Sequence, residues 1–260
     1  MSESKGKIFF AILAALLLLS GCIILLYPSL NGLWVDYTMR RDAQEFLSYV
    51  EVKPFTPEEG IPSETISQEG VEESAPPTEH TRLWLDMKAY NDAIFREGQE
   101  GLSNPTAYEK PSFRLSDYGL ETEVFGVLSI PKLSLEMPIY LGASKQNMAN
   151  GAAIMGQTSL PIGGSNTNCV LAGHRGWNGA AYFLYINQLK PGDIVTVTNL
   201  WETLTYEVVD THIISPNDVD VIHIQPNREL LTLLTCHPPA SGGKQRYLVF
   251  CERVYEMEVS

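Results

Sequence analysis

The sequence predicts a mostly β protein whose main domain, residues 121–260, is a closed barrel or a sandwich of about 130 residues. From about residue 124 the chain is a series of short runs rich in β-branched and aromatic residues, such as VFGVLSI, TLTYEVVDTHII and RYLVFCERVY. Gly, Pro or Asn–Asp signals separate most of these runs, as in many all-β domains. Two short helical pieces are expected to interrupt them, around residues 145–149 and 182–184.

Composition limits the possible function classes. The 260 residues are 44% hydrophobic and 19% charged, which suffices for one sizeable core with accessory segments. The formal net charge is −13 and no basic stripe appears, so we expect no nucleic-acid partner. The cysteines form no CxxC pair and the histidines do not complete a set of zinc ligands. We therefore expect no structural metal and no cofactor.

Residues 1–28 are predicted to be a short cytoplasmic tail and a transmembrane anchor. The uncharged run 8–26 would form a helix about 28 Å long, close to a hydrocarbon core of about 30 Å. The residues before Cys22, Leu-Ser-Gly, resemble a lipoprotein cleavage box. The apolar run continues past Cys22, however, which favours an uncleaved anchor.

The orientation of this anchor rests partly on flanking charge. Lys5 and Lys7 favour a cytoplasmic N-terminus, but Arg40 and Arg41 lie within reach of the other end of the span. We expect a single pass through the cell membrane with the large C-terminal domain outside the cell.

Residues 29–120 are predicted to contain helices, a linker and a loop. Apolar residues at helical spacing predict helices over 33–50 and 82–97. Residues 51–80, rich in Glu and Pro and poor in aromatic residues, are typical of a solvated acidic linker. Residues 102–120 show no sustained period and predict a loop of the kind that often forms a lid.

The stretch LLTLLTCHPPASGGKQRYLVF brings Cys236 to the end of a predicted strand. A cysteine nucleophile needs a base or an ion-pair partner, together with donors for the developing oxyanion. Arg246 begins the next strand, and its guanidinium could face the thiol with a fork of donors. The alternatives are a buried structural thiol and a surface arginine.

Among the histidines that could serve as the base, the residues favour His174. It follows an apolar strand in VLAGHRGW, where Gly173 and Gly176 keep backbone bulk low. His237 adjoins Cys236, so the two side chains would point to opposite faces of a strand. The alternative is that His174 is a hydrogen-bonded histidine at a strand end. The remaining histidines are His80, His212 and His223.

Two further cysteines lie in apolar strands. We expect Cys169 and Cys251 to be buried free thiols, because cysteine is among the most buried residue types. A disulfide between them would require that their strands be neighbours.

The motifs TLLTC and GHRG, together with the downstream Arg246, strongly resemble the sortases, membrane-anchored cysteine transpeptidases of Gram-positive bacteria. The segments YPSLN, IPKLSLEMPIYLG and GQTSLPIGGSNTNCVLAGHRG look like the pilus-type, class C branch. The resemblance implies a closed eight-stranded barrel with His174, Cys236 and Arg246 as the catalytic set. It also implies that Thr235 contributes to substrate binding.

The resemblance further implies a reaction and its partners. In the family, the cysteine attacks the Thr–Gly bond of an LPXTG-type sorting signal on a surface or pilin protein, and an amine resolves the thioacyl enzyme. The amine is a pilin lysine in pilus-type members, and a peptidoglycan precursor amine in members that anchor proteins to the wall. Wall anchoring is one alternative, and a surface-binding barrel without catalysis is another of a different class.

Two features depart from the class C pattern. Members usually carry a lid with an Asp-Pro-aromatic motif, whereas the corresponding loop here reads Asn104, Pro105 and Thr106, with Tyr108 close by. We expect a lid that covers the site more weakly. Many pilus-type members also have a second transmembrane helix after the barrel, and the residues up to Ser260 include no such segment.

Overall fold

A closed barrel forms the main domain in a computed structural model that describes residues 2–52, 78–103 and 107–255. The strands in the described residues are β1 (Val124–Ile130), β2 (Leu135–Leu141), β3 (Ala152–Ile154), β4 (Thr167–Ala172), β5 (Arg175–Trp177), β6 (Ala180–Tyr182), β7 (Ile194–Thr198), β8 (Thr203–Ile214), β9 (Glu229–His237) and β10 (Gln245–Arg253). The order around the barrel is β1-β2-β3-β4-β9-β10-β8-β7, while β5 and β6 form a separate hairpin. The predicted eight-stranded barrel is confirmed.

The pairing of β4 with β9 determines where the functional residues meet. These strands are parallel, with Ala172 opposite Leu234, although they are far apart in the sequence. The antiparallel pairing of β9 with β10 then sets Cys236 opposite Arg246. The C-terminal ends of β4 and β9 and the start of β10 therefore share one end of the barrel.

The expected helical pieces are partly confirmed. The helix α3 (Lys145–Asn150) covers the first of them, capped by the Ser144 hydroxyl, which accepts from the amide of Asn147. The prediction for residues 182–184 is wrong, because Tyr182 ends β6 and a 3-10 helix begins only at Ile186. The hairpin explains the difference, since Asn178 and Gly179 adopt positive φ angles and reverse the chain there.

Alternation along β9 separates two apolar layers. Leu231 and Leu233 point into the barrel and belong to the main core. Leu234 instead packs on the outer face with Leu248 and Phe250 of β10. The barrel wall is therefore apolar on both sides near Cys236.

Two longer helices precede the barrel. The helix α1 (Ser2–Val52) is continuous through Pro28, so the predicted boundary after residue 28 is not a break in the helix. Its stretch Phe9–Glu51 includes a window apolar and long enough to cross a membrane, and none of that window is buried. The helix α2 (Glu79–Glu97) is capped by Thr78 and ends at Gly98. Residues 53–77 of the predicted linker lie outside the described residues.

Candidate active site

The strand register aligns the predicted catalytic residues in one row. Arg246 is paired with Cys236 across β10 and β9. On the other side of β9, continuing the pairing of Ala172 with Leu234 by two residues sets His174 beside Cys236. The three side chains therefore come from neighbouring chain segments at one end of the barrel, with Cys236 in the middle.

A hydrogen bond keeps this register beyond the end of β4. The hydroxyl of Thr235 donates to the carbonyl oxygen of Gly173 at 2.7 Å, and the amide of Gly173 donates to the carbonyl oxygen of Leu234 at 3.0 Å. A methyl group added at Gly173 would lie only 2.7 Å from the ring of Phe183, so this position has no room for a side chain. The residue before His174 is thus secured by β9 and by the barrel interior. The hydroxyl of Thr235 is fully buried, and the predicted contact of Thr235 with substrate stays a prediction.

Aromatic rings surround His174. Its imidazole stacks on the ring of Trp177 with the centroids 5.0 Å apart, and meets the edge of Tyr182 at 5.6 Å. Burial by these rings lowers the pKa of His174 below its ordinary value of 6.5. The imidazole is therefore neutral at pH 7 and available as a proton acceptor.

The loop between β9 and β10 holds the guanidinium of Arg246 near the thiol. Nη1 of Arg246 donates to the carbonyl oxygens of Gly243 at 2.7 Å and Gln245 at 3.1 Å. A methyl group added at Gly243 would lie 3.0 Å from this Nη1 and 3.4 Å from Sγ of Cys236. Gly243 therefore lies next to both the guanidinium and the thiol, and a side chain at this position would crowd them.

A second arginine, Arg175, was not predicted from the sequence. Its side chain is 7% exposed, its Cζ lies 5.1 Å from the ring centroid of Tyr247, and its Nη1 is 3.2 Å from Nδ1 of His237. Burial lowers its pKa, while the nearby Tyr247 and Cys236 oppose that shift. The position of Arg175 next to His174 in GHRG was the sequence feature that could have indicated a role at the site. The contacts of Arg175 with Tyr247 and His237, however, depend on the closed barrel.

The outer face below Cys236 forms an apolar surface that other segments cover. Val170 and Ala172 of β4 lie in the same rows as Thr232 and Leu234 of β9. The cluster that covers this surface includes Leu102, which is 1% exposed, and is completed from outside the barrel by Ile222, Val219, Val221 and Tyr108.

The structure describes part of the predicted lid loop, including Tyr108. The carbonyl oxygen of Tyr108 accepts from the amides of Ala143 at 2.9 Å and Gly156 at 3.0 Å, and its half-buried ring packs on the outer apolar cluster. Asn104 and Pro105 lie outside the described residues.

The other two barrel cysteines are buried free thiols, as expected. Cys169 and Cys251 both pair with Leu231, one from each side of β9. Strands two positions apart are separated by about 9.5 Å, which is too far for a disulfide. Burial raises the pKa of both thiols, so neither is a ready nucleophile.

Comparisons with known proteins agree with this geometry. Residues 128–254 match the family model described as Sortase domain. Sortase D of Bacillus subtilis is 31% identical over 131 residues, which are 50% of this chain and 63% of that protein. The matched regions span 52% to 63% of the length of this and two further curated relatives.

Solved structures match more of the chain. Sortase C-1 from Actinomyces oris is 30% identical with a TM-score of 0.56, and the match covers 67% of this chain and 99% of that one. Group B Streptococcus Pilus Island 1 Sortase C2 is 31% identical with the same TM-score of 0.56 and the same coverage of 67% and 99%.

Proposed function

Because this chain belongs to the sortase family, we propose that it is a cysteine transpeptidase that cleaves an LPXTG-like sorting signal between Thr and Gly. The observation that carries the proposal is the row of His174, Cys236 and Arg246 across adjacent chain segments at one barrel end. A surface-binding barrel would need none of these three side chains in register.

The proposed first half-reaction transfers one proton through His174. The neutral imidazole takes the proton of the Cys236 thiol as sulphur attacks the carbonyl carbon of the Thr–Gly bond. Arg246 donates to the oxyanion that forms. The C–N bond then breaks, His174 returns the proton to the leaving glycine nitrogen, and a thioester remains on Cys236.

The second half-reaction reverses these roles. An acceptor amine attacks the thioester and His174 accepts a proton from that amine. The C–S bond then breaks to release the new amide, and His174 returns the proton to the sulphur of Cys236. We propose a pilin lysine as the acceptor. The support is the similarity to pilus sortases, such as Sortase C1 of GBS Pilus Island 1 at a TM-score of 0.59.

We further propose that the N-terminal part of α1 anchors the protein in the cell membrane with the barrel outside the cell. The support is the uncharged, unburied apolar window near the N-terminus. Asp36, Arg40 and Arg41 of α1 follow this apolar run, where headgroups and water can solvate them.

The test uses the full chain in detergent with an LPXTG-type peptide and two acceptors, a pilin-lysine peptide and a glycine peptide. Mass spectrometry should detect an acyl adduct on Cys236 that the lysine peptide resolves into a new amide. Cys236→Ala should lose both the adduct and the product while keeping its thermal unfolding temperature.

The possible outcomes separate the alternatives. Resolution by the glycine peptide alone would favour wall anchoring over pilin polymerisation. Transpeptidation by Cys236→Ala would refute the assigned nucleophile. A folded chain that never forms an adduct with any sorting peptide would favour the non-catalytic barrel.

A further inference from the structure

The helix α1 runs along the barrel from its catalytic end to its opposite end. Near residue 30 it contacts the β5–β6 hairpin, where Nδ2 of Asn31 donates to the carbonyl oxygen of Asn178 at 2.9 Å. Further along, Phe46 and Tyr49 line a cavity with Val124, at the start of β1. The start of β1 lies near the β7–β8 turn, which is at the barrel end opposite Cys236.

The contact with the hairpin is close and involves backbone on both sides. A methyl group added at Gly179 would collide with the carbonyl oxygen of Pro28, and one added at Gly32 would collide with the carbonyl oxygen of Gly179. The two glycines therefore allow the tip of the hairpin to touch α1 directly, which fixes the height of the hairpin along the helix.

The hairpin meets α1 just beyond the end of its apolar run. The run ends at Leu26, and at a helical rise of about 1.5 Å per residue Pro28 lies only about 3 Å beyond it. The polar headgroup layer is roughly 5–7 Å thick on each side of the hydrocarbon core. A hairpin tip that touches Pro28 therefore lies within the headgroup layer.

The side chains near this height suit such a layer. Trp177 of the hairpin is 43% exposed, and Tyr27 of α1, the residue directly after the apolar run, is 63% exposed. Tryptophan and tyrosine are enriched at membrane–water interfaces, where the ring is partly in the apolar region and the polar edge is hydrated.

We propose that the β5–β6 hairpin docks on the lipid headgroup layer, so that the catalytic end of the barrel faces the membrane. Trp177 is then an interfacial anchor as well as the stacking partner of His174. Substrates and acceptors attached to the same membrane reach Cys236 along its surface. This inference rests on the anchor proposed above.

The test measures the depth of nitroxide labels on the full chain, reconstituted in vesicles of phosphatidylcholine and phosphatidylglycerol. Single cysteines replace Asn178 at the hairpin, Leu30 on α1, or Thr203 at the opposite barrel end, in a background carrying C22A and C236A. Cys169 and Cys251 are buried and should stay unlabelled. Collision rates with oxygen and with a water-soluble nickel chelate then report depth. If Asn178→Cys fails to fold, Ala181→Cys replaces it, because Ala181 is a partly exposed residue of β6 and the change leaves Trp177 in place.

The label at 178 should match the label at 30, with a ratio of oxygen to nickel collisions well above that at 203. A label at 178 that resembles the one at 203, while the label at 30 remains at the interface, would overturn the docking and leave the anchor intact. A water-exposed label at 30 would overturn the anchor itself, and the docking with it.

Discussion

The hydroxyl of Thr235 donates to the carbonyl oxygen of Gly173, so the residue before the cysteine is bonded to the residue before the histidine. This bond crosses from β9 to the chain that leaves β4, where regular pairing has ended. It fixes the backbone before His174 against the backbone before Cys236.

Thr235→Val should slow acyl-enzyme formation several-fold, because it releases the backbone before His174 from β9. It should also cost about 1–3 kcal/mol of stability, since the buried carbonyl of Gly173 loses its donor. The measurement is the single-turnover rate with a sorting peptide. Thr232→Val is the matched control. The hydroxyl of Thr232 donates to Oδ1 of Asn168 and is equally buried, but it lies earlier in β9 and farther from Cys236. It should lose comparable stability and keep its rate, and equal rate losses in both variants would contradict the positioning role.

The rings around His174 predict a specific pH dependence. The acylation rate should fall as His174 becomes protonated, which happens below pH 6.5 because burial lowers its pKa. Trp177→Ala would expose the imidazole to water, raise its pKa towards 6.5 and move the acidic limb of the rate profile to higher pH. Trp177→Phe keeps a stacked ring and should leave the limb nearly in place. An unshifted limb in Trp177→Ala would disprove this account of the environment.

The same shift affects stability. Because the folded-state pKa of His174 lies below its unfolded value of about 6.5, the unfolded chain binds the proton first as the pH falls. The contribution of neutral His174 to the free energy of unfolding is therefore fully present above pH 6.5. It is lost as the pH drops towards the folded-state pKa. His174→Gln should flatten this part of the curve of unfolding free energy against pH.

Arg246 is expected to act on the reaction rather than on the fold. Arg246→Met should lower acylation by about 10²–10³, the usual effect of removing one oxyanion donor. The control is Arg228→Met, which removes an arginine from the opposite end of β9, where Arg228 pairs with Glu252 at 2.6 Å. Acylation rates and thermal unfolding would be measured for both variants. A rate loss in Arg246→Met no larger than in the control would rule out its role at the oxyanion.

Arg175 is expected to act on both reactivity and stability. Its buried guanidinium lies over the ring of Tyr247, a contact that contributes about 0.5–2 kcal/mol. The positive charge of Arg175 also interacts with Cys236. Arg175→Met should therefore lower the unfolding temperature and slow the reaction of Cys236 with iodoacetamide at neutral pH, and Arg175→Lys should restore part of that rate. An unchanged alkylation rate would assign Arg175 to the fold alone.

Leu102 is expected to compete with substrate for the outer face of β4 and β9. Leu102→Ala removes apolar contacts worth about 2–5 kcal/mol. The 3-10 helix Glu100–Ser103, which carries Leu102, should then leave the outer face more often. The acylation rate at low peptide concentration should rise several-fold. Leu115→Ala, in the same predicted loop but packed on the main core, should not raise it. A lower rate in Leu102→Ala would mean that Leu102 supports the outer face of β4 and β9 instead of competing for it.

Local patterns in the sequence were enough to locate most strands. The alternating run TLTYEVVDTHII became β8 and VFGVLSI became β1, because alternating or wholly apolar short runs suit a barrel wall whichever strand they pair with. The chemistry of a cysteine at a strand end, followed by an arginine, was likewise readable from neighbouring residues. The helical prediction at 182–184 failed because a hairpin turn overrode a local apolar pattern.

The order of residues alone was enough to tell which residues could react, which runs would form the barrel wall, and that an apolar run precedes them. The closed barrel was needed to show that β4 lies parallel to β9, which sets His174 beside Cys236, and that Arg175 lies over the ring of Tyr247. The same packing decided that the hairpin meets α1 at Pro28. The physical reason is that these contacts join residues far apart in the chain. Their geometry depends on hydrogen bonds and burial that exist only once the barrel has closed.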